Sequence, residues 1–204
     1  MFKYLLKSEN FQDIVKKCSA SLEKPGSFLL VPTETVYGLV CSWEDILARK
    51  NIYKAKKRAE NKPFQMLASN VDMVKSFGGI ISSVTEKIIQ SFCPGPITII
   101  IPTKDGQTIG FRIPECDFIL KLIESYMFPL AGTSANLSGE PSALHPEQAL
   151  SELKLMPDIV IDSGPISAGS LPSTVLKING SELEILREGP ISLEEIQKAV
   201  NQKV

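Results

Sequence analysis

The chain reads Val31-Pro32-Thr33-Glu34-Thr35-Val36-Tyr37-Gly38-Leu39 directly after a strand-like run that begins at Ser27. Proline cannot donate a hydrogen bond to a sheet ladder, so we predict that the strand ends at Pro32. Two threonines, a glutamate and a tyrosine follow at its C-terminal end, where open α/β sheets bind ligands. This stretch is therefore a candidate functional site; the alternative is a strand-to-helix connection capped by threonine hydroxyls.

Outward from this turn, the apolar spacing predicts alternating strands and helices. A helix is predicted over 10–22, before the stop signal Lys24-Pro25-Gly26, and a capping box at Ser42-Trp43-Glu44-Asp45 predicts a second helix that runs to Arg58. Asn179-Gly180 between two apolar runs predicts a hairpin. The other predicted elements are strands at 63–69, 97–101, 108–113, 129–132, 158–162, 173–178 and 182–187, and helices opening at 69–72 and covering 84–92, 117–127, 145–154 and the segment after 192. This order predicts a mixed, twisted open α/β sheet with helices packed on it.

The bulk composition predicts one domain spanning residues 1–204. A chain of 204 residues with 43% hydrophobic content can bury one substantial core. Its 22 basic and 23 acidic residues nearly cancel, so any partner of strong charge needs a local patch. No signal peptide and no apolar run of about 18 residues is found, which predicts a cytoplasmic protein without a membrane partner.

Several kinds of site are excluded or disfavoured by the residues present. Four cysteines lie far apart without a C-x-x-C pair, which favours reduced buried thiols over a zinc site or a disulfide framework. The one histidine, His145, precedes Pro146 at a predicted helix start and is interpreted as a surface residue. No residue cluster indicates a protein-held metal, and neither of the usual glycine-rich phosphate loops is present.

Polar side chains follow several predicted strands, and four such groups match in kind. They are 32–37, Arg112, 133–136 and 173–174, with the cations of 54–58 near the first group in sequence. Hydroxyls, an amide and guanidinium groups suit a polyphosphate and a small polar substrate. Lys54 and Arg58 share a helix face, whereas Lys56 lies about 200° round from Lys54, so only part of the cluster is expected to face one ligand. The alternative is that these cations stabilise a helix C-terminus.

Six of these motifs occur together in an order that resembles a known family. They are Pro32-Thr33-Glu34-Thr35-Val36-Tyr37-Gly38-Leu39, Lys56-Lys57-Arg58, Arg112-Ile113-Pro114, Thr133-Ser134-Ala135-Asn136-Leu137-Ser138-Gly139, Pro172-Ser173-Thr174-Val175 and Arg187-Glu188-Gly189. Over residues 10–200 the chain resembles the YrdC-type threonylcarbamoyl-AMP synthases, in a short form without the extra C-terminal domain of longer members. The resemblance implies the YrdC-like fold and a nucleotidyltransferase that makes threonylcarbamoyl-AMP and pyrophosphate from L-threonine, bicarbonate and ATP. It also implies that partner proteins then transfer the threonylcarbamoyl group to tRNA.

The resemblance also implies roles for individual residues. Lys56 and Arg58 are the expected catalytic residues, with Lys56 near the phosphates. The substrate-binding residues implied are Thr33, Thr35, Tyr37, Arg112, Thr133 and Ser173. The nucleotide-binding residues implied are Lys54, Arg58, Lys62, Ser134, Ala135, Asn136, Ser142 and Arg187. Mg²⁺ is expected to arrive with ATP, held chiefly by phosphates and water.

Three positions depart from the pattern of the longer members. Ala59 stands where a proline is usual, Lys62-Pro63-Phe64 replaces Asn-Pro-Leu, and Leu67 replaces a histidine. These changes imply altered pocket detail rather than lost activity. The Gly-, Ser- and Pro-rich loop 163–172 is a candidate lid. Two other classes stay open: a double-stranded RNA or tRNA-binding module of the same fold that uses the 54–58 face, and a carbamoyl-transfer relative with another carbamoyl donor.

Overall fold

The computed structural model describes residues 1–201, and its strands form one sheet. Most strands have five residues or fewer. The strands are β1 (Phe2–Leu5), β2 (Leu29–Val31), β3 (Gly38–Ser42), β4 (Gln65–Leu67), β5 (Ile97–Pro102), β6 (Thr108–Arg112), β7 (Leu130–Ser134), β8 (Ile159–Asp162), β9 (Thr174–Asn179) and β10 (Glu182–Arg187).

The sheet is mixed in direction. Its order is β1-β8-β2-β3-β7-β4-β6-β5-β9-β10. Strand β8 is parallel to β1 and β2, β4 is parallel to β6, and β5 is parallel to β9. The remaining neighbours are antiparallel. The predicted mixed α/β sheet is therefore confirmed, and this order places the ends of β4, β6, β7 and β9 within one region of the sheet.

Helices cover both faces of this sheet. None of them within residues 1–201 has the length and apolar character needed to cross a bilayer, and the longest has 12 residues. A single 3₁₀ turn at Ser8–Asn10 precedes the first helix. The helices are α1 (Phe11–Leu22), α2 (Ile46–Ala55), α3 (Val71–Ser76), α4 (Ser83–Phe92), α5 (Asp117–Tyr126), α6 (Pro146–Glu152) and α7 (Leu193–Asn201).

Alternation along the strands divides the core into three clusters. On β2, Leu29 packs under α1 and α5, whereas Leu30 packs on the opposite face with α2 and α6. On β4, Leu67 joins the first cluster, and Met66 joins the third, which α3, α4 and α7 cover. Burying one such side chain stabilises the fold by about 1.5–3 kcal/mol. Because successive side chains of a strand point to opposite faces of the sheet, Gln65 lies on the same face as Leu67.

Two strands were missed by the sequence-based prediction. Residues 38–39, interpreted as part of the turn after Pro32, begin β3 in the structure. β1 was not predicted at all; it is an edge strand that pairs with β8 more than 150 residues later, and no local pattern reports such a partner. The predicted capping box is also wrong, because Ser42 ends β3 and the Oδ1 atom of Asp45 accepts from the amide of Ala48 at 2.9 Å as the helix N-cap.

Two boundaries near the candidate site also differ from prediction. Helix α2 ends at Ala55 rather than Arg58, and Lys57 has a positive φ of 46°. The argument that placed Lys54 and Arg58 on one helix face therefore does not hold. Strand β7 continues to Ser134, so Thr133 and Ser134 end a strand and the predicted polar loop begins at Ala135.

The cysteines are free thiols, as predicted. Cys18 and Cys41 are buried, and burial raises the pKa of each to about 12. Cys93 is half-buried, and burial raises its pKa to about 11. Thiolates are the reactive form, so these groups are inert at neutral pH. His145 is exposed as the N-cap of α6, as predicted.

Candidate functional site

The turn after β2 is held by the hydroxyl of Thr33. This hydroxyl donates to the carbonyl of Val36 at 2.7 Å and accepts from the amides of Thr35 and Val36 at 3.1 and 3.2 Å. Its single hydrogen is thereby committed, so the neighbouring Thr35 hydroxyl, 2.9 Å away, donates to it. Thr33, predicted as a substrate-binding residue, is used here to shape the turn, while Thr35 faces the cavity.

Arg112 anchors that turn from the end of β6. Its two terminal nitrogens each donate to the Thr35 hydroxyl at 3.2 Å, and one lies 2.6 Å from a carboxylate oxygen of Glu34. The Nε atom donates to the carbonyl of Gly95 at 3.3 Å. The Arg112 side chain is only 4% exposed. The structure thus brings together Thr35 and Arg112, which are 77 positions apart.

A second arginine reaches the site from the end of β10. Arg187 donates through Nε and a terminal nitrogen to the carbonyl of Ser173, and that terminal nitrogen lies 3.1 Å from the Ser173 hydroxyl. Burial first, and then the charges of Arg112 and Arg58, lower the pKa of Arg187. Three guanidinium groups therefore repel one another across one space, and an anion bound there relieves that repulsion.

Ser173 is kept under Arg187 by a close backbone approach. A Cβ atom added to Gly189 would lie 2.3 Å from the amide nitrogen of Thr174 and 2.6 Å from the carbonyl oxygen of Pro172. Contacts of this length are impossible for real side chains, so only glycine fits position 189 while these segments stay together.

Lys56 lies beneath the cavity rather than in it. It follows the last residue of α2, is 1% exposed, and its Nζ atom donates to the hydroxyl of Thr133 at 3.2 Å and to the carbonyl of Ser134. Burial, and then the charges of Arg58 and Lys62, lower the pKa of Lys56 to about 7. The lysine predicted to contact phosphates thus supports the end of β7 and is near the midpoint of its titration at neutral pH.

Arg58 and Lys62 form the other side of the site. A terminal nitrogen of Arg58 donates to the carbonyl of Pro63 at 2.9 Å, while its buried Nε has no partner within residues 1–201. Burial lowers the pKa of Arg58. The Nζ atom of Lys62 donates to the hydroxyl of Ser138 at 3.1 Å. Beside them the rings of Tyr53 and Phe64 lie 4.9 Å apart, which adds an aromatic wall.

These groups line one cavity of about 810 Å³. Its basic residues outnumber its acidic ones by four in a chain whose net charge is −1, so positive charge is concentrated here. The basic residues are Arg49, Lys50, Arg58, Lys62, Arg112 and Arg187, and the acidic ones are Glu60 and Asp105. The predicted site residues that the cavity brings together are Thr35, Arg58, Lys62, Arg112, Thr133, Ser134, Ser173 and Arg187.

Two predicted residues lie clearly outside this lining. Tyr37, predicted to bind substrate, is fully buried; its hydroxyl donates to the carbonyl of Gly164 at 2.7 Å and accepts from the amide of Ser163 at 3.2 Å. It therefore fastens the start of the candidate lid loop. Lys54, predicted to bind nucleotide, is exposed on α2 and does not line the cavity.

Three further predicted nucleotide ligands lie behind or beside the cavity. The amide of Ala135 donates to the carbonyl of Tyr37 at 2.8 Å. The side-chain nitrogen of Asn136 donates to the carbonyls of Leu137 and Glu140, and its buried Oδ1 atom has no partner among the described residues. Ser142 lines a separate depression of about 430 Å³ against the end of the loop 163–172.

The sequence-based interpretation missed several cavity residues. Gln65 and Thr98 lie on the predicted strands 63–69 and 97–101, to which no site residue was assigned, and both line the cavity. Leu67 is buried in the core, with 3% of its surface exposed, and does not line the cavity. It packs against Gly132, which does line the cavity. The sequence did contain one signal for Gln65. Side chains alternate between the two faces of a strand, so Gln65 shares a face with Leu67, the position where longer family members have a histidine.

No group of three metal-ligating side chains is found within residues 1–201. The carboxylates that line the cavity are Glu60 and Asp105, which lie far apart in sequence. Asp105 accepts a hydrogen bond from the hydroxyl of Thr103. A divalent cation would therefore take most of its oxygen ligands from a bound polyphosphate and water.

Known proteins resemble most of this chain in structure and in sequence. The solved structure described as "P. abyssi Sua5 complexed with L-threonine" superposes with a TM-score of 0.86 at 27% identity, covering 98% of this chain and 60% of that one. A threonylcarbamoyl-AMP synthase of Pyrococcus abyssi is 29% identical over 203 residues, which are 95% of this chain and 59% of the relative. That of Bacillus subtilis is 30% identical over 192 residues, 89% of this chain and 55% of the relative. The chain thus spans less than two thirds of the length of these two relatives.

The family model for the Sua5, YciO and YrdC proteins, described as "Telomere recombination", matches residues 22–189. This match includes the turn after β2, the end of α2, and the strand ends that carry Arg112, Thr133, Ser173 and Arg187. On this match, and on the geometry that gathers those strand ends into one cationic cavity, the chain belongs to the Sua5/YciO/YrdC family.

Proposed function

We propose that this chain is an L-threonylcarbamoyladenylate synthase, a nucleotidyltransferase that forms threonylcarbamoyl-AMP and pyrophosphate from L-threonine, bicarbonate and ATP. The observation that carries the proposal is the cavity itself, which combines a hydroxyl-rich end with a cationic end. The names of the relatives support the same reaction, and one of their solved structures is described as an L-threonine complex.

L-Threonine occupies the hydroxyl-rich end in this proposal. Thr35 and Thr133 both line the cavity, and each is fixed by a cation, Arg112 at 3.2 Å and Lys56 at 3.2 Å respectively. Arg112 and Ser173 lie on the side suited to the substrate carboxylate. Such a site hydrogen-bonds the hydroxyl and amino groups of threonine, so analogues that lack them leave its polar groups unpaired.

ATP occupies the cationic end. Arg58, Lys62 and Arg187 converge there, and guanidinium groups suit phosphate oxygens because their parallel N–H groups can bind two oxygens at once. Tyr53 and Phe64 provide an apolar surface for the base. Lys50 and Arg49 extend the positive lining beyond these residues.

The chemistry requires positioning rather than a covalent nucleophile. Bicarbonate takes up a proton and loses water to give carbon dioxide, and the threonine amine adds to it and releases a proton to form a carbamate. One carbamate oxygen then attacks the α-phosphorus, and the bond from that phosphorus to the bridging oxygen breaks, which releases pyrophosphate. Holding the short-lived carbamate against the phosphate and away from water can lower the barrier by about 7–11 kcal/mol. Arg58 and Arg187 stabilise the charge that accumulates on the phosphate oxygens.

Mg²⁺ accompanies ATP in this proposal. Bound to the phosphates, it neutralises charge on the leaving pyrophosphate. Residues 1–201 offer no cluster of metal-ligating side chains, so phosphate and water oxygens would hold the ion. The product serves tRNA modification through partner proteins that transfer the threonylcarbamoyl group, so we place the reaction in the cytoplasm, where ATP and tRNA are abundant.

The test is pyrophosphate release by the purified chain with ATP and Mg²⁺, omitting L-threonine, bicarbonate or ATP in turn. We expect release only when all three are present. Release without threonine but with another amine or carbamoyl donor supports the carbamoyl-transfer relative instead. Salt-dependent tRNA binding with no release under any condition supports the RNA-binding module and contradicts the proposal.

A further inference from the structure

Gln65 begins β4 and faces the cavity, and nothing in the proposed function assigns it a role. Its Oε1 atom accepts a hydrogen bond from the Thr98 hydroxyl at 2.7 Å. Its Nε2 atom has no hydrogen-bond partner in the part of the chain that the structure describes. Gln65 pairs with Gly132 on β7, immediately before Thr133, so it lies at the floor of the hydroxyl-rich end.

Thr98 links Gln65 to Arg187 through Ser173. The hydroxyls of Thr98 and Ser173 lie 2.8 Å apart, and both residues are buried, at 4% and 2% exposure. The Ser173 hydroxyl in turn lies 3.1 Å from a terminal nitrogen of Arg187. Four side chains, from β4, β5, β10 and the residue before β9, therefore form one hydrogen-bond chain that ends at the cavity floor.

The direction of this chain is fixed by its first member. A guanidinium group only donates, so the Ser173 hydroxyl accepts from Arg187 and keeps its own hydrogen available for Thr98, whose single hydrogen goes to Gln65. Thr98 then donates to a carbonyl-type oxygen, which is Oε1 of Gln65. In the opposite amide orientation, Gln65 would donate to Thr98, and the hydrogen of one of the two buried hydroxyls would have no acceptor in the chain. Buried polar groups are nearly always satisfied, so the first orientation holds.

We propose that Gln65 presents its amide NH₂ group to the cavity as an oriented donor for a carboxylate-type oxygen of the bound substrate. The chemical class is the planar CO₂ group, which is carried by the carboxylate of threonine and by the one-carbon acid that becomes its carbamate. Arg112 lines the same cavity, but its guanidinium is already shared between Thr35 and Glu34, so it has few N–H groups left for a carboxylate. A neutral second donor completes recognition without adding a fourth mutually repelling cation.

This inference rests on the proposed synthase function, and four variants test it. Gln65→Leu removes the donor, and Gln65→Glu keeps an acceptor for Thr98 but replaces the donor with a negative oxygen. Thr98→Val breaks the orienting chain, and Thr98→Ser keeps it. Gln90→Leu makes the same chemical change at an exposed position on α4 and serves as the control. Thermal unfolding of each variant shows that it is folded.

The measurements are calorimetric titration of L-threonine without bicarbonate, and the steady-state KM for threonine, bicarbonate and ATP. A hydrogen bond to a charged group is lost in Gln65→Leu, so we expect about a 10-fold or greater loss of affinity for one acid, and a larger one for Gln65→Glu. Weaker threonine titration assigns the donor to the amino-acid carboxylate. Unchanged titration with a raised KM for bicarbonate assigns it to the one-carbon acid.

Thr98 acts through Gln65 in this proposal, so its effect must depend on Gln65. We expect Thr98→Val to raise several-fold the dissociation constant or KM of the acid that Gln65→Leu affects, and Thr98→Ser to restore it. In the Gln65→Leu background, Thr98→Val should add nothing. Wild-type values for every acid in folded Gln65→Leu and Gln65→Glu overturn the inference while the parent remains an active synthase. A parent that releases no pyrophosphate and binds no threonine overturns the proposed function itself.

Discussion

The guanidinium of Arg112 and the carboxylate of Glu34 lie 2.6 Å apart, with 4% and 17% of their side chains exposed. The same Glu34 oxygen accepts from the amide of Glu115 at 2.8 Å, while its other oxygen is buried without a partner within residues 1–201. This ion pair connects the turn after β2 to the end of β6 and fixes an arginine that lines the cavity.

Removing that carboxylate is expected to destabilise the fold. In Glu34→Leu, Arg112 remains buried with its charge uncompensated, which costs about 3–5 kcal/mol. Glu34→Gln should cost less, because its amide oxygen still accepts from Arg112. Urea unfolding measures both. The exposed pair of Lys7 and Glu9, 3.8 Å apart, supplies the control, since Glu9→Gln should change the free energy of unfolding by less than about 1 kcal/mol. Equal effects of Glu34→Leu and Glu9→Gln would contradict this account.

Lys56 is expected to make stability depend on pH. Its pKa of about 7 in the folded chain lies below the ordinary 10.5, so between these values the unfolded chain binds more protons and the free energy of unfolding rises with pH. The slope from this one group is at most about 1.4 kcal/mol per pH unit. Lys56→Met should remove it, whereas Lys16→Met, on the exposed side of α1, should not. Parallel stability curves for the parent and Lys56→Met from pH 7 to 9 would refute the buried titration.

Arg58→Ala is expected to keep the fold and lose most ATP-dependent pyrophosphate release. Its guanidinium lines the cavity and, among residues 1–201, makes one hydrogen bond, to the carbonyl of Pro63, so little structure depends on it. Lys54→Ala changes an exposed cation four positions earlier and should have a much smaller effect. Steady-state rates of both variants decide between a phosphate ligand and a structural cation at position 58. An unaltered rate in folded Arg58→Ala leaves that residue outside the chemistry.

Thr35 and Thr133 are expected to discriminate among amino acids. Both line the cavity although 98 positions separate them, and both hydroxyls are held by cations. Serine should be a poorer substrate than threonine, and valine poorer still, because valine leaves polar groups unpaired. Turnover with the three amino acids is compared in the parent, Thr35→Val and Thr133→Val. Equal use of all three by the parent, or undisturbed threonine turnover in both variants, would sink the hypothesis.

The cysteines are expected to be dispensable for the reaction. Burial raises the pKa of Cys18, Cys41 and Cys93 to about 12, 12 and 11, and Cys116 is raised for the same reason. Replacing all four with alanine should preserve pyrophosphate release per folded molecule while lowering the unfolding temperature through lost packing. Inactivity of a variant with native circular dichroism would show that a thiol takes part.

Local signals predicted most of the fold because most helices and strands are bounded by capping or turn residues. The cap at Ser192, with the side chain of Glu195 accepting from its amide at 2.8 Å, and the helix opened by Asn70 were read correctly from spacing. Strands β1 and β3 were missed for different reasons. β1 depends on a partner at the far end of the chain, and β3 follows a polar turn so closely that the turn was extended over its first residues.

The site was harder to predict than the fold, because sequence motifs do not report side-chain direction. The motif Lys56-Lys57-Arg58 predicted two ligands, but Lys57 has a positive φ after the end of the helix, Lys56 is buried and Arg58 lines the cavity. Tyr37 belongs to the strongest motif and yet serves the loop at Gly164. Gln65 and Thr98 carry no motif, and only the register of β4 and β5 brings them to the cavity.

Gly189 makes the site vulnerable to changes that touch no ligand. Any side chain there would act as a wedge between the chain after β10 and the start of β9, and would part Arg187 from Ser173. A copy of this chain that drifts to alanine at this position would retain every residue that faces the cavity. Judged by the residues that face the cavity alone, such a copy would look unaltered, although the geometry that joins those residues had been lost.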